Sequence, residues 1–292
     1  MTTATKFPDC DQRVIDMGSA DEYMLGYRRE EQIRLQAQAR QLAGESRWMF
    51  QQIPLPDDPR IVEIGCGPQG CLEILSGRAG PSGRVIGVDR SEDAVALARD
   101  WVSASNLANV EVWVKDARNT ELPRASFDLV AARLVLVNVP EPEQIVAEAA
   151  ALLKPGGWLA LHEADYVSFL CDPPCAAWDT LMGLFKRYAE HNGIDPHIGR
   201  RLPRMLREVA RLVEISVRPI VHVYPADHER RFIAADFAEN VAERLVDQKL
   251  AGAREISSLL TRLRSHLSDP DTLVVSHLFF QAWGRKPADA AG

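Results

Sequence analysis

Residues 61–70, Ile61-Val62-Glu63-Ile64-Gly65-Cys66-Gly67-Pro68-Gln69-Gly70, constrain this chain more than any other stretch. A short apolar run ends in a carboxylate and then a glycine-rich bend. Leu72, Ile74 and Leu75 follow as the buried face of a helix. Strand, tight turn, helix is the pattern of a parallel α/β sheet. Glycines remove side chains where a ligand must lie against the backbone. The spacing Gly65-x-Gly67-x-x-Gly70 alone suits a dinucleotide site equally well.

Two details argue against a dinucleotide. Pro68 has no N–H to offer a pyrophosphate. Glu63 stands two residues before the first glycine, where it could face an ammonium or, through water, the amino-acid end of a cofactor. A ligand with an amino-acid tail and no phosphate fits better, and S-adenosylmethionine (SAM) is one. The plain alternative is a structural turn with Glu63 facing solvent.

The 292 residues suit one large domain, or one domain with a cap. A net charge of −7 argues against nucleic acid, whose phosphates demand surplus Lys and Arg. No run of 18 apolar residues exists, so no membrane span is expected. The start, Met1 to Lys6, lacks the apolar core of a signal peptide. Five scattered cysteines suggest reduced thiols in a cytoplasm. Cys171 and Cys175 are the one close pair; with no further ligands at matching spacing, they read as thiols and no metal is expected.

Along the chain, residues 1–20 look loosely ordered. Residues 21–50 read as helices separated at Gly44, and their one-sided apolar character suits a lid over the cleft. Tyr23, Tyr27, Arg34 and Gln38 are its polar candidates: Tyr23 and Gln38 for the cofactor, Tyr27 for the substrate, with ordinary surface positions as the alternative. Strands are expected at 61–64, 84–88, 110–114, 127–132 and 158–162. Helices are expected at 71–77, 91–104 with Ser91 as N-cap, and 141–153, with Lys154-Pro155-Gly156-Gly157 as a sharp turn. Such alternation specifies a parallel sheet covered on both faces. Beyond it, 176–191 reads as a helix, 203–212 as another with Pro203 in its first turn, and 213–224 as strand six. Residues 229–250 and 253–267 read as helical, and 273–283 as a final strand. Arg204, Arg207 and Arg211 share one face and read as a solvated stripe. The resulting division is 1–53 lid, 54–165 core, 166–212 helical cap, and 213–292 the rest of the sheet with a helical insertion.

Open parallel sheets bind ligands beyond the carboxyl ends of their strands. Here those ends carry Glu63, Asp89, Asp116 and the pair Glu163 and Asp165. Asp89 could accept hydrogen bonds from two ribose hydroxyls, since an ionised carboxylate only accepts. Asp116 could accept from an adenine amino group while the Ala117 N–H donates to the ring. Arg133, past strand four, could offer its backbone carbonyl to an ammonium. Cys66 and Arg90 border the same pocket.

At these residues the chain resembles the class I SAM-dependent methyltransferases. The resemblance rests on Val62-Glu63-Ile64-Gly65-Cys66-Gly67, Gly87-Val88-Asp89-Arg90-Ser91, Lys115-Asp116-Ala117, Phe127-Asp128-Leu129-Val130 and Leu152-Leu153-Lys154-Pro155-Gly156-Gly157. It covers about residues 60–165 in the family's order. Looser similarity at Glu22–Gly26, at Arg34-Leu35-x-x-Gln38 and at Val274–Leu278 points to small-molecule enzymes of bacterial secondary metabolism. It implies a Rossmann-like, doubly wound α/β sheet of seven strands, the last antiparallel, with an N-terminal helical lid and helical cap insertions. One departure stands out: Asn138 occupies a segment where related enzymes often carry His, and Asn takes no proton at neutral pH.

The resemblance implies in-line methyl transfer to an O, N or C nucleophile of a small molecule. A base is needed only where the nucleophile must lose a proton. Glu163, Asp165, Tyr166, His191 and Asp195 are the candidates; His191 has the suitable intrinsic range, against a surface role. Tyr166, Asn138, Trp178 and Arg200 are the substrate-side candidates, with Arg200 and Arg201 holding an acidic group or forming ion pairs with the core. Trp178, Phe185 and Tyr188 fall at helical spacing, which core packing also explains; lining a cleft, they would favour a planar apolar substrate. Three other readings stay open: a SAM-binding enzyme catalysing a cyclisation, a dinucleotide oxidoreductase, and a non-enzymatic binding protein. A homodimer is the one assembly held open.

Overall fold

The computed structural model describes residues 29–288. In chain order the helices are α1 (Arg29–Gln41), α2 (Ala43–Gln51), α3 (Leu72–Ala79), α4 (Glu92–Ala104) and α5 (Pro142–Leu152). They continue with α6 (Ala176–His191), α7 (Ile198–Glu208), α8 (Ile233–Asn240), α9 (Ala242–Asp247) and α10 (Ala253–Ser268). The strands are β1 (Arg60–Ile64), β2 (Arg84–Asp89), β3 (Val110–Val114), β4 (Phe127–Arg133) and β5 (Leu153–Asp165). After them come β6 (Leu170–Asp172), β7 (Val213–Ile220), β8 (Leu273–Val275) and β9 (Leu278–Arg285). Short 3-10 turns occur at Leu136–Asn138 and Glu229–Phe232.

Seven strands form one sheet in the order β3-β2-β1-β4-β5-β9-β7. The first five run parallel, and β9 lies antiparallel between β5 and β7. Strand alternation divides the core. Val62, Ile64, Val130, Leu159 and Leu161 face one layer with α5 and α7. Ile61, Leu129, Ala131 and Ala160 face another with α2, α3 and α4. Burial on both faces is why these strands read as continuous apolar runs. The Ser91 hydroxyl accepts from the Ala94 N–H at 3.2 Å, capping α4 as its sequence suggests.

A cap sits beside the sheet, drawn from two stretches of chain. Trp178, Leu181 and Leu184 of α6 pack with Ala234 and Ala235 of α8 and Leu259, Leu263 and Leu267 of α10. A two-stranded ribbon, β6 with β8, joins the stretches. Among the described residues no helix is long and apolar enough to cross a membrane.

Several expected boundaries are corrected. The break between the first two helices falls at Leu42, and Gly44 lies inside α2. The Lys154–Gly157 turn is an irregularity within β5: pairing jumps from Phe127–Leu153 to Leu129–Trp158, so extra residues loop out where Gly156 has φ +80. Helix α7 begins at Ile198, and Pro203 sits in its interior. Packing decides this, since Ile198 and Leu202 are wholly buried against the sheet. The expected strand 213–224 ends at Ile220. The expected strand 273–283 is two strands broken at Ser276-His277, because β8 pairs with β6 and β9 with β5.

Candidate active site

The β1–α3 turn is built around a buried carboxylate. Both Glu63 oxygens accept from the Cys71 N–H, at 2.8 and 2.9 Å. Gly70 has φ +53, and a Cβ there would lie 2.6 Å from a Glu63 oxygen and 2.7 Å from the Cys66 carbonyl oxygen. Glycine is therefore required twice, for conformation and for space. Glu63 is 1% exposed, so the solvent-facing alternative is excluded. Desolvation, opposed by Arg133, pushes its carboxyl up to about 7.

That shift has a sign. Between an ordinary value near 4.5 and about 7, the folded chain holds a proton that the unfolded chain releases. Glu63 therefore contributes stability at low pH that is lost as pH rises through this window. Glu63→Gln keeps an acceptor for Cys71 and removes the titration. Urea denaturation between about pH 5 and 7.5 is expected to show a smaller fall in stability for the variant than for wild type. Parallel pH profiles would contradict this.

Next along the sheet, Asp89 closes β2. Its Oδ2 accepts from the Gly67 N–H at 2.9 Å and its Oδ1 from the Ser91 N–H at 2.9 Å. Each oxygen retains a lone pair for the cleft. Gly67 has φ +55, and a Cβ there would meet nothing within 4 Å. Its bare side borders a cleft of about 1220 Å³, open mouth included. The cleft lies beyond the carboxyl ends of β1–β4, across the point where strand order reverses from β1 to β4. Its wall includes Gly65, Cys66, Gly67, Gly70, Arg90, Asp116 and Ala117.

The other wall comes from α1 and the segment after β4. Gln32 and Gln38 contribute from α1, with Arg133, Asn138 and Tyr166 opposite. Among the described residues, Gln32 Oε1 and Asn138 Oδ1 are buried with no donor. Asn138 Nδ2 donates to the Leu134 carbonyl at 2.7 Å, which fixes its amide orientation. Two uncompensated carbonyl-type oxygens beside a cleft favour a ligand that is cationic or rich in N–H donors.

Some of the expected site residues carry other partners. Asp116 is engaged by Arg118 at 2.8 Å, which holds its carboxyl below the usual range. Arg133 donates to Ser46 Oγ at 3.0 Å and to the Gly70 carbonyl at 3.1 Å, tying α2 to the glycine turn. Tyr23 and Tyr27 lie outside the described residues.

Of the base candidates from sequence, Tyr166 lines the cleft, whereas Glu163, Asp165, His191 and Asp195 do not. Glu163 is fully buried, and its carboxylate accepts from the N–H groups of Val135 (2.9 Å), Leu136 (2.9 Å) and Val137 (3.2 Å). It braces the chain reversal after β4. Asp165, also fully buried, pairs with Arg200 and with His197 Nδ1 at 3.2 Å. His191 is exposed in the last turn of α6 and lines neither cavity. Asp195 pairs with Arg201 at 2.5 Å. Arg200 and Arg201 are thus ion-pair partners, the second alternative offered for them. Trp178 is 4% exposed, packs edge-on to Phe169 and belongs to the cap core, because its side of α6 faces α8 and α10.

A second cavity, about 1020 Å³ with its mouth, shares Arg34, Gln38 and Tyr166 with the first. Phe169, Phe185, Phe237 and Met182 wall it, and Arg230 and His277 line it. Tyr166 and Phe185 meet edge to face at 5.5 Å, and Phe185 and Phe237 at 4.6 Å. Burial and then the nearby Arg230 hold His277 well below its usual range, so it is neutral. Sequence reading passed over Phe169, Phe237 and Arg230, and met His277 only as part of the Val274–Leu278 similarity. Phe237 is an apolar residue in a helix, and Arg230 one of several arginines in a polar stretch. The break at Ser276-His277, which turns His277 inward, has no local signal.

The family description "Methyltransferase domain" matches residues 62–161. The trans-aconitate 2-methyltransferase of Variovorax paradoxus is 34% identical over 119 residues, covering 40% of this chain and 43% of that protein. The demethylmenaquinone methyltransferase of Listeria monocytogenes is 29% identical over 154 residues, covering 53% and 60%. The chain thus spans about half the length of the curated relatives it matches. The structure of geranyl diphosphate C-methyltransferase from Streptomyces coelicolor aligns with a TM-score of 0.51 at 15% identity, covering 92% of this chain and 86% of that one. At that identity the likeness concerns the fold.

Proposed function

We propose, from the premise that residues 62–161 form a class I SAM-dependent methyltransferase domain, that this chain moves a methyl group to an O, N or C nucleophile of a small aromatic or apolar metabolite. One observation carries the reading: the cofactor cleft shares Arg34, Gln38 and Tyr166 with a cavity walled by Tyr166, Phe169, Phe185 and Phe237. SAM supplies an already activated methyl group on a sulfonium.

The residues present fit that group. Gly67 leaves backbone bare along the cleft, Asp89 has lone pairs for hydroxyls, and Gln32 Oε1 and Asn138 Oδ1 await donors. Asp89, Asp116, Ala117 and Gln38 would hold the adenosine half, and Asn138, Gln32 and the Arg133 carbonyl the amino-acid half. Helix α1 forms one side of both cavities and would exclude water during transfer. The aromatic wall would orient a flat acceptor. The same reading takes the protein as a cytoplasmic enzyme of secondary metabolism with reduced thiols.

Purified protein with labelled SAM and a metabolite panel, read by mass spectrometry, tests this. A product gaining one methyl, with equal release of S-adenosylhomocysteine, is the expected result. A rearranged product of unchanged mass without that release would favour the cyclisation alternative. Asp89→Ala is expected to weaken SAM binding by about 1.5–3 kcal/mol, some tenfold or more in Kd, as hydrogen bonds to a charged group are lost. An unchanged Kd by calorimetry would remove Asp89 from the site.

A further inference from the structure

We infer that the acceptor carries a carboxylate, seated on the Nε–Nη2 edge of Arg230 at one end of the aromatic cavity. This rests on the reading of that cavity as the acceptor site.

Two adjacent arginines share one short turn and differ in how they are satisfied. Arg231 is 2% exposed and donates to four backbone carbonyls: Tyr224 at 2.9 Å, Leu267 at 3.0 Å, Asp269 at 3.0 Å and Thr272 at 2.8 Å. It is a complete structural strut between the Glu229–Phe232 turn and the end of α10. Arg230 is 7% exposed and lines the cavity. Its Nη1 donates to Gln41 Oε1 at 3.1 Å and the Tyr224 hydroxyl lies near enough to interact with the guanidinium, while among the described residues Nε and Nη2 make no well-formed hydrogen bond.

The unsatisfied pair is chemically specific. Nε–H and Nη2–H lie on one edge of the planar guanidinium, point the same way, and match the two oxygens of a carboxylate. Among the described residues no carboxylate pairs with this guanidinium. Glu229 is exposed and accepts from Gln41; Asp236 pairs with Arg264 at 2.8 Å, and Glu45 with His222 at 3.2 Å. The rings of Tyr224 and Phe279, at 5.9 and 5.8 Å, supply only part of what the buried cation lost on leaving water. His277, held neutral, adds no competing charge. A buried cation with an unsatisfied two-pronged edge, at the wall of a cavity whose aromatic side is Tyr166, Phe169, Phe185 and Phe237 and whose own acids, Glu229 and Asp236, are engaged by Gln41 and Arg264, selects a flat apolar body ending in a carboxylate.

The test uses the whole protein saturated with S-adenosylhomocysteine and two matched probes, cinnamate and its neutral isostere cinnamamide, by calorimetry. Wild type is expected to bind cinnamate at least about tenfold more tightly, the scale of a charge-assisted pair. Arg230→Gln is expected to bring the two within about twofold by weakening cinnamate alone. Equal affinities in wild type, binding of neither probe, or a preference that survives Arg230→Gln would overturn the inference. Should Arg230→Gln not fold, Arg230→Lys keeps the charge without the two-pronged edge, and an undiminished preference there would overturn it as well. SAM binding without a preference for cinnamate sinks this inference and leaves the methyltransferase reading intact. A preference for cinnamate without SAM binding would sink the methyltransferase reading, and with it the identification of the bound carboxylate as a methyl acceptor.

Discussion

Glu163→Ala is expected to cost about 4 kcal/mol of folding stability and to leave the chemistry of the surviving folded protein unchanged. The carboxylate collects three backbone N–H groups, from Val135, Leu136 and Val137. Glu163 is fully buried, and so are Leu136 and Val137. Removing the acceptor strands those donors, each worth roughly 1–3 kcal/mol when left unsatisfied and shielded from water. Water entering the space vacated by the side chain recovers part of this. For a chain of this size the melting temperature should fall by roughly 6–7 °C. A catalytic role predicts the opposite split, with lost turnover and an unchanged melting temperature, so one thermal scan beside one turnover assay separates them.

Gly70→Ala is expected to destabilise the chain by about 2–5 kcal/mol, combining a left-handed backbone with overpacking. The added methyl would sit 2.6 Å from a Glu63 oxygen and 2.7 Å from the Cys66 carbonyl oxygen. Neither can yield cheaply, since Glu63 is held by the Cys71 N–H and Cys66 donates its N–H to the Val88 carbonyl at 3.0 Å. Opening the turn would also displace Gly67 from Asp89, so SAM affinity should fall with stability. Gly44→Ala is the control. A Cβ there meets nothing within 4 Å in a helix, so it should be neutral or stabilising by up to about 1 kcal/mol. Equal melting temperatures for Gly70→Ala and wild type would refute the account of the turn.

The core sheet was legible because its signals are local. Val62 to Gly67 and Arg84 to Asp89 carry strand, turn and acid within a few residues, and the strands emerged at those places. Helix α6 falls at 176–191, where its apolar periodicity put it. Glu163, Asp165 and His191 show where such reading stops. An acid past a strand end has the same sequence signature whether it faces a ligand or a neighbouring peptide. Only the path of 134–138 beneath Glu163, and of Arg200 beside Asp165, assigns them to the scaffold. Trp178 and Phe185 differ in the same way, since both are apolar residues of α6 and one packs inward while the other lines a cavity.

The sequence by itself determined a parallel α/β core, the glycine turn with its acid, and acids gathered at the strand ends, since hydrophobic period, glycine and charge at strand ends act over a few residues. The tertiary structure decided which acids are struts and which border the cleft. It also brought Tyr166, Phe185, Arg230, Phe237 and His277 from distant parts of the chain to one cavity. Burial and hydrogen-bond satisfaction belong to neighbours in space, and no local pattern records which neighbours a folded chain will supply.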